Sequence, residues 1–195
     1  MKIELKIVDL LARNMDRKFT INEIAKSAGE YYSFVHRTIV KLIKDGVITK
    51  ENAGKAYLCE LNMENEKTLA LIQLSEIEKR SEFYEREKEL KLILEDFARS
   101  LEPKSNVLSV VLFGSYVKGN AAKESDIDVL LLAKGGLNTE KAAKDIYAKY
   151  GKEINPIVMT EADFKKQKDS APIREVIGNH YVLYGADNFV KAVFR

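Results

Sequence analysis

The sequence has few of the features that cross-link a chain or anchor it to a membrane. Cys59 is the single cysteine among 195 residues, which excludes an internal disulfide and favours a reducing compartment. Charged residues interrupt the first segment of the chain, which is not the pattern of a signal peptide. No apolar run approaches the length of a membrane-spanning helix. We therefore expect a cytoplasmic protein with no membrane partner.

Repeats and a metal-binding pattern of histidines are missing as well. His36 and His180, the two histidines, are not spaced with other ligands as they would be in a zinc site. The sequence contains no internal repeat and no low-complexity tract. Its formal net charge is +2, and 46% of its residues are hydrophobic. This length and composition leave room for two small domains, each with its own core.

Two acidic residues at the start of an apolar segment are the most informative feature. Asp126 and Asp128 lead into the apolar run 129–132, and the earlier run 107–113 is apolar and β-branched, as in a buried strand. Side chains alternate faces along a strand, so the two carboxylates point the same way and Ile127 points the opposite way. Two carboxylates aimed at one point repel each other unless a cation lies between them. Mg²⁺, which takes oxygen ligands and bridges to phosphates, meets that need.

The turn after the first of these strands offers groups that suit a phosphate. Gly114 has no Cβ, so the backbone there can approach a ligand closely. Ser115 is expected to begin a helix, where free N–H groups favour an anion, and Lys118 can reach a phosphate as a point charge. Taken singly, the turn also fits an ordinary chain reversal, and the aspartates also fit a solvated strand end. Together, with strands on both sides, they predict a metal–phosphate site.

The run from Gly114 to Asp128 resembles the signature of the minimal nucleotidyltransferases, in the DNA polymerase beta-like nucleotidyltransferase superfamily. The shared pattern is Gly-Ser, a basic residue followed by Gly, a variable loop, and Ser-Asp-x-Asp leading into a hydrophobic strand. The resemblance implies transfer of a nucleoside monophosphate from a nucleoside triphosphate (NTP) to an acceptor hydroxyl, with two Mg²⁺ ions if the site is active. Our predicted metal ligands are Asp126 and Asp128, and our predicted nucleotide-binding residues are Gly114, Ser115, Lys118 and Ser125.

The sequence departs from the family pattern at a third carboxylate. In the family this acid lies on a later strand, which here is the segment 153–160, and the expected position holds Asn155. Glu153 lies two residues earlier and so on the same face, and we predict it as a catalytic residue together with the two aspartates. Pro156 has no N–H, which predicts an edge strand or a strand that begins late. An active enzyme and a degenerate, nucleotide-binding domain are both compatible with this pattern.

The first third of the chain has a different, mainly helical pattern. Apolar residues recur at helical spacing near its start. Thr20 and Glu23 form a capping box for a second helix, and Gly29 ends that helix. A third helix is predicted over 32–44, and the segment 47–61 predicts a hairpin.

This order of elements over residues 1–62 resembles the winged helix-turn-helix DNA-binding domains of prokaryotic transcriptional regulators. The resemblance implies that the third helix enters the major groove and that the hairpin touches the DNA backbone. Residues 1–62 hold 11 basic and 8 acidic residues, a net charge of +3, so a protein-interaction module with a solvated basic face is the alternative. Our predicted DNA-binding residues are Tyr32, Ser33, His36 and Arg37, facing base edges, and Lys41, Lys44, Lys50 and Lys55, facing phosphates.

A helical segment separates the two patterns. Residues 66–101 lack glycine and proline and are rich in Glu, Lys, Leu and Ile, which predicts one long helix or two in series. We therefore predict an α+β chain with a winged helix-turn-helix domain at 1–62, a helical connector at 63–82 and a mixed-sheet nucleotidyltransferase domain at 83–195. A homodimer formed partly through the connector is compatible with the reading of two DNA half-sites.

Two functional hypotheses follow from these patterns. The first is a Mg²⁺-dependent nucleotidyltransferase governed by its DNA-binding half. For this hypothesis the resemblance implies an antitoxin-like role, in which a partner protein such as a toxin-like protein is the acceptor. The second is a transcriptional regulator whose nucleotidyltransferase fold only senses nucleotides. The intact Gly-Ser and Asp-x-Asp elements favour the first hypothesis, and Asn155 favours the second.

Overall fold

The protein divides into two compact units, Met1–Glu78 and Lys79–Arg195. They are described from a computed structural model, which covers residues 1–54, 56–122 and 124–195. The division between the units falls within the segment 63–82. Within the described residues, no helix is both long enough and apolar enough to cross a membrane.

The first unit combines helices with a three-stranded antiparallel sheet. Strand β3 lies between β1 and β2 in this sheet, and Phe19 pairs with Cys59 while Ile48 pairs with Leu61. The elements follow the predicted order of helix, short strand, helix, helix and hairpin. In chain order they are α1 (Ile3–Ala12), β1 (Phe19–Thr20), α2 (Ile21–Ala28), α3 (Tyr32–Lys44), β2 (Ile48–Ala53) and β3 (Ala56–Leu61).

The local sequence explains where α2 begins and ends. The N–H of Glu23 donates to Oγ1 of Thr20 at 3.2 Å, and Oε2 of Glu23 accepts from the N–H of Thr20 at 2.7 Å. The predicted capping box is therefore confirmed. Gly29 ends the helix with a φ of +65°, a left-handed conformation that glycine adopts without steric cost. The next helix, α3, has the predicted bounds.

Two helices in series follow the hairpin. They are α4 (Glu66–Arg86), which crosses the division between the units, and α5 (Lys88–Ser100). They meet at Glu87, whose φ and ψ of −110° and 63° are not helical. The prediction of two helices in series is therefore confirmed over that of one long helix. The buried face of α5, which includes Leu94 and Phe97, packs in the core of the second unit.

The second unit is built on a mixed four-stranded sheet. The strand order is β6-β5-β4-β7, with β5 and β6 parallel and the other neighbours antiparallel. The α+β class and the mixed sheet agree with prediction, and Pro156 lies on an edge strand as expected. After α5 the elements are a 3₁₀ turn (Lys104–Asn106), β4 (Val107–Phe113), α6 (Ser115–Lys118), β5 (Ile127–Ala133), α7 (Thr139–Tyr150), β6 (Ile154–Thr160), α8 (Glu161–Gln167), α9 (Ala171–Gly178), β7 (Tyr181–Tyr184) and α10 (Ala186–Phe194).

Alternation along β5 divides the core of this unit into two layers. Val129 and Leu131 belong to a cluster that includes side chains of α5 and α7. Leu130 and Leu132 belong to a second cluster, which includes side chains of α8, α9 and α10. Because residues two apart in a strand share a face, Asp128 lies on the same side of the sheet as this second layer.

Candidate active site

Gly114 forms the turn between β4 and α6. Its φ and ψ of +76° and −148° lie in a region that is essentially restricted to glycine. A Cβ atom at this position would overlap Oδ2 of Asp128 and would lie 3.1 Å from its Cγ. The turn therefore requires glycine for two reasons, the backbone conformation and the close approach of a carboxylate.

Asp128 is held between two neighbouring strands. It pairs in register with Phe113 on β4 and with Asn155 on β6. Its Oδ1 accepts a hydrogen bond of 3.3 Å from Nδ2 of Asn155, and its Oδ2 faces Gly114. The side chain is half-buried. The Asn155 amide therefore orients one oxygen of this carboxylate, and the other lies on the side of Gly114 at the end of β4.

Asp126 is exposed and lies immediately before β5. On one side of it, the N–H of Ala122 donates to Oγ of Ser125 at 2.8 Å, and the N–H of Ser125 donates to the carbonyl of Ala122 at 3.0 Å. On the other side, the N–H of Ile127 donates to the carbonyl of Glu153 at 2.9 Å. The side chain of Ile127 is fully buried. The backbone is thus held on both sides of Asp126, and the hydroxyl of Ser125 is engaged in its own turn.

The residue opposite Asp128 on β6 is Asn155, and Glu153 precedes that strand as an exposed residue. Across residues 1–54, 56–122 and 124–195, no group of three or more His, Cys, Asp or Glu side chains is placed to hold a metal ion. As positioned here, Glu153 therefore does not join Asp126 and Asp128 in a single acidic cluster. The neutral amide of Asn155 is the group beside Asp128.

Helix α6 carries the other predicted phosphate contacts. Ser115 is its first residue and is half-buried, and Lys118 is its last and is exposed. Nζ of Lys118 forms an ion pair with Oε1 of Glu175 on α9. Sequence reasoning missed Glu175, because it lies 57 residues from Lys118 and an acidic residue there is also typical of a solvated helix face. A phosphate at this turn has to compete with Glu175 for Lys118.

The oxygen atoms at this turn suit a hard divalent cation. Asp126 and Asp128 supply carboxylates, and Asn155 offers an amide oxygen when its side chain turns over. This set carries two negative charges, one fewer than three carboxylates would supply. It fits Mg²⁺, which keeps several waters and is commonly held by one or two carboxylates together with phosphate oxygens.

The predicted DNA-binding residues of the first unit lie mainly on the solvent side of α3. Lys41 also donates a hydrogen bond of 2.6 Å to Glu4 of α1, and this bond raises the pKa of Lys41. Lys50 on β2 places its Nζ 4.4 Å from the ring centroid of Tyr57. The predicted contact at Lys55 lies outside the described residues. Of the others, Tyr32, Ser33, Arg37, Lys41, Lys44 and Lys50 are exposed, and His36 is half-buried.

A comparison with protein families identifies the class to which this site belongs. The family model described as "Nucleotidyltransferase domain" matches residues 90–183, a range within the second unit. Two curated proteins of Methanocaldococcus jannaschii, each named "Putative protein adenylyltransferase", are also similar. One is 31% identical over 115 residues, which are 54% of this chain and 78% of the relative. The other is 32% identical over 94 residues, which are 47% of this chain and 94% of the relative.

The chain therefore belongs to the nucleotidyltransferase domain family, and its function is of the nucleotidyltransferase type. The family features predicted from residues 114–128 agree with this assignment. A solved crystal structure, described as that of a toxin-antitoxin with AMP-PNP, is 20% identical and superimposes with a TM-score of 0.41 over 53% of this chain and 81% of that chain.

Proposed function

We propose that this chain is a Mg²⁺-dependent nucleotidyltransferase that transfers AMP from ATP to a hydroxyl group of a partner protein. The observation that carries the proposal is the close approach of Gly114 to Asp128. Only glycine fits this turn, since any side chain there would meet the Asp128 carboxylate, and a nucleotide site explains why both residues are there. The choice of ATP and of a protein acceptor follows from the names of the two relatives. An antitoxin-like role with a toxin-like acceptor rests on the family resemblance alone.

In this proposal each group at the turn has a specific role. Asp126 and Asp128 hold Mg²⁺, which when bound neutralises phosphate charge and activates the attacking oxygen. Gly114 and Ser115 receive the triphosphate, because the first N–H groups of a helix have no intrahelical partner. Lys118 adds a positive charge after it exchanges Glu175 for a phosphate oxygen. Phosphoryl transfer depends mainly on such positioning and charge stabilisation.

The reaction also requires a general base that takes the proton from the hydroxyl group of the partner protein. The amide of Asn155 cannot act as a general base. Glu153 is the carboxylate in the same segment, and its exposed side chain is free of the constraint that β-pairing puts on Asn155. We propose Glu153 for this role, which requires its side chain to turn toward Asp126 when substrates bind.

Nucleotide sensing by a transcriptional regulator is the second candidate function. The observation that favours it is the hydrogen bond between Asn155 and Asp128, because a neutral amide replaces the third carboxylate of the family. Such a site would bind a Mg²⁺–nucleotide complex without transferring the nucleotide. Both candidates require the same two aspartates, so the binding of a nucleotide alone does not separate them.

Label transfer separates the two candidates. The full-length chain is incubated with ATP labelled in the α-phosphate, with Mg²⁺ or Mn²⁺, and with cell extract as the source of acceptors. Asp126→Asn removes one proposed ligand with little change in shape, and Asp145→Asn changes an exposed aspartate on α7 as the matched control. The enzyme proposal predicts labelled protein with the wild type and the control and none with Asp126→Asn.

Other results of the ATP-binding and label-transfer assays would contradict one or both candidates. Saturable, Mg²⁺-dependent ATP binding without any labelled product would support the sensor and contradict the enzyme. The absence of ATP binding by the wild type would contradict both candidates. Label transfer that survives in Asp126→Asn would place the chemistry elsewhere in the molecule.

For the first unit we propose a winged helix-turn-helix domain that binds DNA through α3 and the β2–β3 hairpin. The support is the order of its elements and the exposed basic side chains of α3 and β2. Salt dependence tests this proposal, because phosphate contacts make the logarithm of affinity fall linearly with the logarithm of salt concentration. Lys44→Ala is expected to reduce that slope by about 1. Lys26→Ala on α2 is the control, and a flat dependence in the wild type would favour a protein-interaction module.

A further inference from the structure

We infer that Tyr116 is a positioning residue for Asp126, and this inference rests on the proposed function. Tyr116 is the second residue of α6. Its hydroxyl donates a hydrogen bond of 3.2 Å to the carbonyl oxygen of Ser125, the residue immediately before Asp126. The bond connects the helix that begins at the proposed phosphate-binding turn with the loop that carries a proposed metal ligand.

The hydroxyl of Tyr116 is itself held from a second side. Nζ of Lys152 donates a hydrogen bond of 3.2 Å to it and lies 5.9 Å from the centroid of the Tyr116 ring. Both side chains are half-buried, and the ring packs against the core layer that includes α5 and α7. A hydroxyl that accepts a bond from a cation has its own proton directed at its remaining partner. The Ser125 carbonyl is therefore a defined partner of Tyr116.

These contacts compensate for the position of Asp126 at the end of the sheet. The β5–β6 pairing begins with Ile127 opposite Ile154, so Asp126 lies just beyond it. Asp128, by contrast, lies within the paired strands. The main chain on one side of Asp126 is held through Tyr116, and on the other side the N–H of Ile127 bonds to the Glu153 carbonyl. Ligand groups must be held closely in place to bind a metal well, and the Tyr116 hydroxyl supplies part of that support.

The matched pair of variants Tyr116→Phe and Tyr150→Phe tests this role. Each removes one hydrogen-bonded hydroxyl from the second unit and keeps the ring. The hydroxyl of Tyr150 bonds to Asp96 on α5 at 2.6 Å, so its loss leaves the Asp126 loop untouched. Binding of a fluorescent, non-hydrolysable ATP analogue to the full-length chain is measured as Mn²⁺ is titrated.

We expect Tyr116→Phe to raise the Mn²⁺ concentration at half-saturation about three- to tenfold, the range that corresponds to the loss of one hydrogen bond. Saturating Mn²⁺ should restore the full binding amplitude. Tyr150→Phe should leave the half-saturation concentration at its wild-type value. A residue with a purely structural role would lower the thermal stability without moving the Mn²⁺ dependence.

Failure of this inference differs from failure of the proposed function. Mn²⁺-dependent binding in the wild type with an unchanged midpoint in Tyr116→Phe would overturn the role of Tyr116 alone. If the wild type binds the ATP analogue independently of Mn²⁺, or does not bind it, the proposed function is overturned and the role of Tyr116 with it. If Tyr116→Phe does not fold, Lys152→Met decides the matter. A raised midpoint in that variant supports the inference, and a wild-type midpoint overturns it.

Discussion

The two units hold their proposed functional side chains in different ways. In the second unit, the carboxylate of Asp128 is contacted by Asn155 on one oxygen and faces Gly114 with the other. In the first unit, the side chains on the outer face of α3 are mainly exposed, and Lys41 bonds to the neighbouring Glu4. A metal site needs ligands that are fixed before the metal arrives. A lysine carries its charge as a point on a flexible four-carbon stem, so it can reach a phosphate without being fixed in advance.

The backbone is also more constrained at the Gly114 turn of the second unit than in helix α3 of the first. The turn at Gly114 combines a conformation restricted to glycine with a neighbour that leaves no space for a Cβ. Helix α3 runs from Tyr32 to Lys44 with ordinary backbone angles at both caps. A substitution at the turn must therefore disturb the local structure, whereas a substitution on the exposed face of α3 should alter partner binding and leave the fold intact.

We expect the largest loss of stability and of nucleotide binding from Gly114→Ala. The new methyl group would overlap Oδ2 of Asp128, and the backbone would be strained by about 1–3 kcal/mol. We expect a matching loss of unfolding free energy of the second unit in urea, together with loss of Mg²⁺-dependent ATP-analogue binding. Gly136→Ala is the control, since a Cβ there meets nothing within 4 Å. Wild-type stability and binding in Gly114→Ala would show that the turn does not constrain Asp128.

We expect a smaller loss of stability in the first unit, where Thr20→Ala removes the cap of α2. The loss of unfolding free energy should be about 1 kcal/mol, because the N–H of Glu23 loses its acceptor. Thr20 belongs to the first unit and the Gly114 turn to the second, so we expect binding of the ATP analogue to be unaffected. Urea unfolding monitored in the first unit, alongside the binding assay, measures both quantities. A change in nucleotide affinity would show that the cap of α2 influences the nucleotide site.

The same capping box gives the first unit a pH dependence. The hydrogen bond from the backbone of Thr20 lowers the pKa of Glu23 below its ordinary value of 4.5. A carboxyl group whose pKa is lowered by folding stabilises the folded state fully above its ordinary pKa, and this stabilisation is lost as the pH falls through the lowered value. The stability difference between wild type and Glu23→Gln should therefore shrink as the pH is lowered from 7 through that range. Glu64→Gln, at an exposed position of the same unit, is the comparison.

Local patterns in the sequence were enough to predict most of the elements. The strand 107–113, the helix 32–44 and the Thr20–Glu23 box depend on neighbouring residues, and each occurs where the pattern predicts it. Contacts between distant residues depend on which strands and helices become neighbours, and periodicity carries no information about that. Three pairs near the candidate site that only the structure reveals are Lys118 with Glu175, Tyr116 with Lys152, and Asp128 with the amide of Asn155. The family resemblance pointed to position 155, but the hydrogen bond that holds Asp128 there required the sheet register.

The smallest effect on stability is expected from Asn155→Asp, and its sign should depend on the metal. Without a divalent cation, the change replaces the hydrogen-bond donor to Oδ1 of Asp128 with a second carboxylate directly opposite it, which should cost about 0.5 kcal/mol. With Mg²⁺, the new carboxylate would add a third negative charge to the proposed ligands, so the repulsion would be offset by attraction to the cation. Thermal unfolding in EDTA and in Mg²⁺ should therefore show a larger Mg²⁺-induced rise in Tm for this variant than for the wild type.

Asn155→Ala provides the control for that comparison, because it removes the hydrogen bond without adding charge. It should lower the Tm in EDTA and show no extra response to Mg²⁺. If Asn155→Asp responds to Mg²⁺ no more than the wild type does, position 155 lies outside the metal site and Glu153 becomes the better candidate for the third acid. If it responds and label transfer also increases, the amide at 155 limits an otherwise intact nucleotidyltransferase site, since the turn at Gly114 and both aspartates are unchanged in the variant.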